Sequence, residues 1–114
     1  MPTVTKEKSK TKPKVQKKRK PLLIPQYNVI LLNDETHTYD YVIEMLQRLF
    51  QHSYEMAFLM ACEVDTFGRV IVCTTHKERA EFKRDQIRSF GPDHRMSISK
   101  SSMQAIIEPV GKSE

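Results

Sequence analysis

Glycine is scarce in this chain: 114 residues contain three, Gly68, Gly91 and Gly111. Their wide spacing excludes a glycine loop that cradles phosphate, which needs several glycines within a few positions. Cysteine is scarcer still. Cys62 and Cys73 lie in apolar surroundings with no partnering pattern, too few for a disulfide framework or a metal cluster, and read as buried thiols of a reducing cytoplasm. No apolar run approaches the ~20 residues that span a bilayer. The basic opening MPTVTKEKSKTKPKVQKKRK lacks the apolar stretch of a secretory signal, so neither a membrane nor an exported protein is expected. His37, His52, His76 and His94 show no metal-ligand spacing such as HExxH, and no GxSxG marks a nucleophile. These absences point away from an enzyme and call for no cofactor and no metal.

What is present divides unevenly. Residues 1–26 carry eight lysines and one arginine against Glu7, a balance of +8. Residues 27–114 carry ten basic and thirteen acidic side chains, a balance of −3. We expect three parts: a disordered basic tail over 1–26, one folded domain over 27–109, and a flexible end over 110–114. The tail has too little apolar surface to offset the entropy of ordering it. Its PLLIP patch, residues 21–25, could pack on the domain or on a partner. A basic tail can also hold phosphates. The domain argues against nucleic acid, having no basic stripe and no aromatic platform set among basic residues.

Within the domain, YNVILL (27–32) reads as a strand with Tyr27, Val29 and Leu31 on one face. Residues 38–50 place Tyr39, Val42, Ile43, Leu46, Leu49 and Phe50 three and four apart, one stripe of a helix. A second helix starts after Ser53, a suitable N-cap, with Tyr54, Ala57, Phe58, Ala61 and Val64 as its apolar stripe. DTFG (65–68) reads as a turn with Gly68 at positive φ. RVIVCTT (69–75) is the strongest strand signal. Thr75 and Glu78 match a capping box that opens a third helix through about Phe90, ended by Gly91 and Pro92. MQAIIEP (103–109) closes as a strand. The order β-α-α-β-α-β predicts an α/β (α+β) open sandwich, a three-stranded sheet covered by three helices on one face.

The junction at Asn33, Asp34 and Glu35 carries the chemistry. An amide and two carboxylates where a strand hands over to a helix either cap that helix or accept bonds from an ammonium group. If the second helix packs beside the first, its end brings Asp65 to the same loop, and Tyr39, Val42, Ala61 and Val64 border an acidic pocket. Three crowded carboxylates would raise one another's pKa.

These residues resemble the ClpS family of adaptors for the Clp protease. YNVILLNDETHTYDYV (27–42) is similar to that family's opening, Tyr-x-Val-x-Leu-x-Asn-Asp-Asp-x-Thr-Pro-Met-x-Phe-Val. VIEMLQRLF (42–50), EVDTFGRV (63–70), ERAEFKRDQI (78–87) and IIEP (106–109) continue the likeness over about residues 27–109. It implies a fold similar to the C-terminal domain of the ribosomal stalk protein. It also implies a cytoplasmic adaptor that binds proteins by their N-terminal residue and hands them to a ClpA- or ClpC-like AAA+ unfoldase. Carried over by position, Asn33, Asp34 and Glu35 grip the amine, with Asp65 where the family has histidine. Tyr39, Val42, Ala61 and Val64 form the side-chain pocket, and Ala61 stands where the family has a bulky methionine. His37 and Thr38 replace the family's Thr-Pro, and Tyr39 its methionine. Glu81 and Lys83 match residues facing the unfoldase. Two other readings stay open: a module that docks on the unfoldase without recognising N-terminal residues, and a ribosome- or nucleic-acid-associated protein.

Overall fold

A computed structural model describes residues 24–111. The tail expected over 1–26 falls almost wholly outside the described residues, as do 112–114 of the expected flexible end. Strand β1 (Gln26–Leu32) leads to helices α1 (Tyr39–Phe50) and α2 (Tyr54–Phe67), strand β2 (Arg69–His76), helix α3 (Lys77–Arg88) and strand β3 (Ala105–Pro109). The strands form an antiparallel sheet in the order β2-β1-β3, so the first strand lies in the centre. The predicted order of elements is the observed one. Among the described residues no helix is long and apolar enough to cross a membrane.

Alternation puts Val29 and Leu31 of β1 into a core that all three helices complete, through Val42 and Leu46, Ala57 and Ala61, and Ala80 and Ile87. On β2 a bulge opposite Val29 and Ile30 inserts Val72 as an extra residue, and Val70 and Val72 are both buried. Ile30 points to the other face, opposite Ile71 and Ile106. Arg69 and Glu108 are 2.9 Å apart, and their ladder positions flank Ile30, so the ion pair crosses that face diagonally beside it.

The boundaries differ from expectation where capping decides them. β2 stays paired through His76 opposite Gln26, which holds Thr75 extended, and His76 instead of Thr75 becomes the N-cap of α3. The DTFG segment is no separate turn: Asp65, Thr66 and Phe67 complete the last helical turn, and Gly68 ends it at φ 87 with its N–H on the Val64 carbonyl. α3 stops at Arg88, where the Ser89 N–H and hydroxyl both bond the Asp85 carbonyl. β3 begins at Ala105 instead of Met103.

On α2 the inner surface is Ala57, Ala61 and Val64, whereas Tyr54 and Phe58, expected in the stripe, are exposed. Small residues four apart let α2 approach its neighbours closely, which leaves the large rings outside.

Residues 91–104 have no regular structure, yet they are built around a buried carboxylate. Asp93 is 1% exposed and accepts the Thr38 N–H at 2.7 Å, the Thr38 hydroxyl at 2.8 Å and the Arg95 N–H at 3.0 Å. Thr38 in turn caps α1, its hydroxyl oxygen accepting the Tyr41 N–H. Burial pushes the Asp93 carboxyl up, but the bonds from Thr38 and Arg95 outweigh burial and hold it down at about 2.

A depressed carboxyl stabilises the fold fully above its unfolded pKa, and the benefit fades as pH falls toward its folded value. The Asp93 contribution should therefore be complete above about pH 4 and disappear between about pH 4 and pH 2. Asp93→Asn should cost about 1–3 kcal/mol at neutral pH and flatten the dependence in that window, as read by urea unfolding across pH. A variant with the wild-type acid profile would remove Asp93 from this role.

Candidate N-terminal amine site

Three local devices bring the junction residues together. β1 ends at Leu32, whose N–H bonds the Gln104 carbonyl, and the next N–H, from Asn33, bonds the Gly68 carbonyl at 2.9 Å. Gly68 is the positive-φ residue that ends α2, so this bond ties the strand end to the end of α2 and carries Asp65 to the loop. Thr38 starts α1 on the far side of the loop, which sets Tyr39 and Val42 against Ala61, Val64 and Asp65.

The result is a cavity of about 360 Å³. Every residue expected at the amine and at the side-chain pocket lines it: Asn33, Asp34, Glu35 and Asp65, then Tyr39, Val42, Ala61 and Val64. His37, Thr38 and Met103 line it as well. Its floor is apolar and closed, with Val42, Ala61, Val64 and Met103 all buried, while Asn33, Glu35 and Asp65 stand exposed at the rim. Such a volume, apolar below and polar above, suits a ligand with one apolar group and one cation.

At Asp34 the upward shift expected from crowding is reversed by local donors. Asp34 Oδ1 accepts both the Thr36 N–H and its hydroxyl at 2.6 Å, and His37 Nδ1 stands 3.2 Å away. Burial raises the Asp34 carboxyl, but these donors more than compensate, and it lies below the ordinary range. Asp65 is engaged by the Tyr39 phenol, which donates to Oδ2 at 2.7 Å. That bond, helped by desolvation and the nearby charge, pushes the phenol up to about 12. The side chains of Tyr39 and Phe58 are in turn packed with ring centroids 6.2 Å apart. The Tyr39–Asp65 bridge thus joins the start of α1 to the last turn of α2 over the Val42, Ala61 and Val64 floor.

Met103 belongs to the expected closing strand, and nothing in its spacing announces a cavity residue. Asp93, which positions Thr38 from 55 residues away, sits in a polar loop with no local motif. Glu81 and Lys83 do not reach the cavity. Both are partly buried on α3, and Lys83 bonds the Leu49 carbonyl and lies over the Phe50 ring at the opposite end of α1. Among the described residues no group of three His, Cys, Asp or Glu could hold a metal ion.

The sequence profile of the family described as "ATP-dependent Clp protease adaptor protein ClpS" matches residues 23–100. This chain belongs to the ClpS family. Among curated relatives of this ClpS family member, an ATP-dependent Clp protease adapter protein ClpS of Xanthomonas campestris pv. campestris (strain 8004) is 36% identical over 66 residues. That match covers 58% of this chain and 62% of the relative's length. The ClpS of Xylella fastidiosa (strain M12) is 33% identical over 81 residues, 71% of this chain and 76% of that one. A stretch of the E3 ubiquitin-protein ligase ubr-1 of Caenorhabditis elegans is 33% identical over 93 residues, 79% of this chain and 4% of the ligase. The structure of Agrobacterium tumefaciens ClpS2 bound to L-phenylalaninamide aligns with a TM-score of 0.64 at 22% identity. It covers 75% of this chain and 96% of that one, and establishes the shared fold. The family is one of adaptors to a protease.

The Tyr39–Asp65 bridge has a direct spectroscopic signature. Asp65→Asn removes the charge that holds the phenol proton, so the Tyr39 ionisation should fall from about 12 toward its ordinary 10.0. A ring-resolved NMR titration between about pH 9 and pH 12 reads this. An unmoved midpoint would mean that the phenol does not meet Asp65 in solution.

Proposed function

We propose that this ClpS family member is a cytoplasmic adaptor that binds proteins through a free N-terminal residue and delivers them to a Clp AAA+ unfoldase. The observation that carries this reading is the cavity itself, where one amide and three carboxylates rim an apolar floor. An N-terminal residue has the complementary form. Its ammonium offers three hydrogen-bond donors beside a side chain, and Asn33, Asp34, Glu35 and Asp65 supply the acceptors. An apolar first side chain would lie on Val42, Ala61 and Val64, beside Tyr39. The Xanthomonas and Xylella relatives point the same way, since they are Clp adaptors, and one structure of this fold holds L-phenylalaninamide.

The adaptor catalyses nothing in this reading; hydrolysis belongs to the protease it serves. α3 is the docking face. Glu81 and Lys83 lie there, and Lys83 fastens α3 to the end of α1, so a partner bound at this face would meet a braced surface. The domain over 27–109 is the binding unit, and the basic tail before it is the segment we assign to the unfoldase during handover.

The amine is tested first. In calorimetric titration, a peptide beginning with Leu should bind at least about tenfold more tightly than its N-acetylated twin, because acetylation removes a charge-assisted hydrogen bond donor. The double substitution Asn33→Ala, Asp34→Ala should abolish that difference. Equal binding of both peptides to the wild type would sink the reading and favour a module that only docks.

Asp65→His tests the rim. The change removes a negative charge near neutral pH and should improve the Leu peptide relative to an Arg-leading peptide by about 1 kcal/mol or more, because the second cation loses a partner. No change for either peptide, with the fold intact, would take Asp65 out of the site.

A further inference from the structure

The imidazole of His37 is almost wholly enclosed, its side chain 1% exposed and its ring 4.5 Å from that of Tyr41. Both nitrogens face oxygen. Nε2 lies 2.7 Å from the Ser101 carbonyl, an acceptor only, so Nε2 carries a proton and donates there. Nδ1 lies 3.2 Å from both the Thr36 hydroxyl oxygen and Asp34 Oδ1. The Thr36 hydroxyl spends its own proton on Asp34 Oδ1, which leaves Nδ1 facing two acceptors, so Nδ1 holds them only by donating a proton of its own alongside the one on Nε2. The ring therefore bridges two separate walls of the cavity. One is the 33–38 loop with Asp34, and the other is the segment from Ser101 to the buried Met103.

The three contacts on Asp34 share one feature. The Thr36 N–H, the Thr36 hydroxyl and His37 Nδ1 all address Oδ1, and none addresses Oδ2. A carboxylate held by one oxygen keeps its other oxygen in a set direction. Thr36 supplies this hold from the adjacent backbone, and a short loop alone gives it little rigidity. His37 adds the anchor outside the loop.

We infer that His37 is the positioning residue for Asp34: a buried strut, braced on the Ser101 carbonyl, that fixes Oδ1 so that Oδ2 is the oxygen presented to a ligand's amine. This rests on the amine-binding reading and specifies how the amine meets Asp34. It also assigns a task to a residue that departs from the Thr of the family pattern. The size of the ring lets one side chain touch both walls, a span that threonine is too short to cross.

Two conservative variants divide the ring's contacts. The amide of His37→Asn sits where Nδ1 does and can still face Asp34, whereas that of His37→Gln sits where Nε2 does and can only face Ser101. Each is titrated with a peptide beginning with a free Leu and with its N-acetylated twin, after a thermal melt confirms folding. A strut needs both contacts, so H37N and H37Q should each lose about tenfold in affinity for the free peptide, with the acetylated peptide unchanged in both. Wild-type affinity in either variant, or equal losses for the free and the acetylated peptide, would overturn the assignment. A second readout needs no ligand: followed by carbon NMR, the Asp34 carboxyl should titrate at a higher pH in H37Q, which loses both the charge and the bond of the ring, than in H37N, which loses the charge alone. An unmoved midpoint in H37Q would also overturn it. If the wild type binds both peptides alike, the amine reading fails by itself, and the Asp34 midpoint alone decides the role of His37.

Discussion

The contact between Asp93 and Thr38 is the constraint on which the rest of the cavity depends. A carboxylate removed from water must be met by donors or give up its charge. Here the donors come from the first capping position of α1 and from Arg95, so satisfying one charge also fixes where a helix starts. The N-terminal end of a helix favours a negative charge in any case, through its unpaired N–H groups. Move that start by one residue and the helix face rotates by about 100°, which would carry Tyr39 and Val42 away from α2. The irregular 91–104 segment is thus as much a part of the site as the two helices are.

Much of the architecture could be read before any coordinates. Three- and four-residue spacing marked α1, β-branched runs marked β1 and β2, and the caps at Ser53 and Gly68 are local chemistry written in single residues. The errors share a cause. Thr75 carries a valid capping signal, but strand pairing with β1 competes for the same backbone and wins. Tyr54 and Phe58 fit the apolar stripe of α2 by periodicity, yet the neighbours of that helix admit only alanine and valine on the inside. Periodicity locates a face and says nothing of how near the next element will come.

The candidate site was legible to the extent that it is contiguous. Asn33, Asp34 and Glu35 are consecutive, and Asp65 follows once α1 and α2 are paired. Met103 and Asp93 were not legible, because each acts across a separation that only the folded topology closes. His37 was visible as a departure from the family pattern, but its use lies in a carbonyl 64 residues away. The upward shift expected of the crowded acids is reversed at Asp34 for a similar reason. Sequence counts the carboxylates and omits the hydroxyl, amide and phenol that the fold turns toward them.

Ala61 is both a core residue and a cavity residue, 1% exposed, touching the interior on one side and the cavity on the other. Val42, Val64 and Met103 share this double membership. The chain has no separate lining that could be exchanged while the interior stays as it is. Any change of side chain that reshapes the cavity also repacks the helix contact behind it, so the shape of the cavity and the thermal tolerance of the fold are inherited together. Lineages that diverge in what this cavity holds must then change in correlated sets, with the volume lost at one wall restored at another.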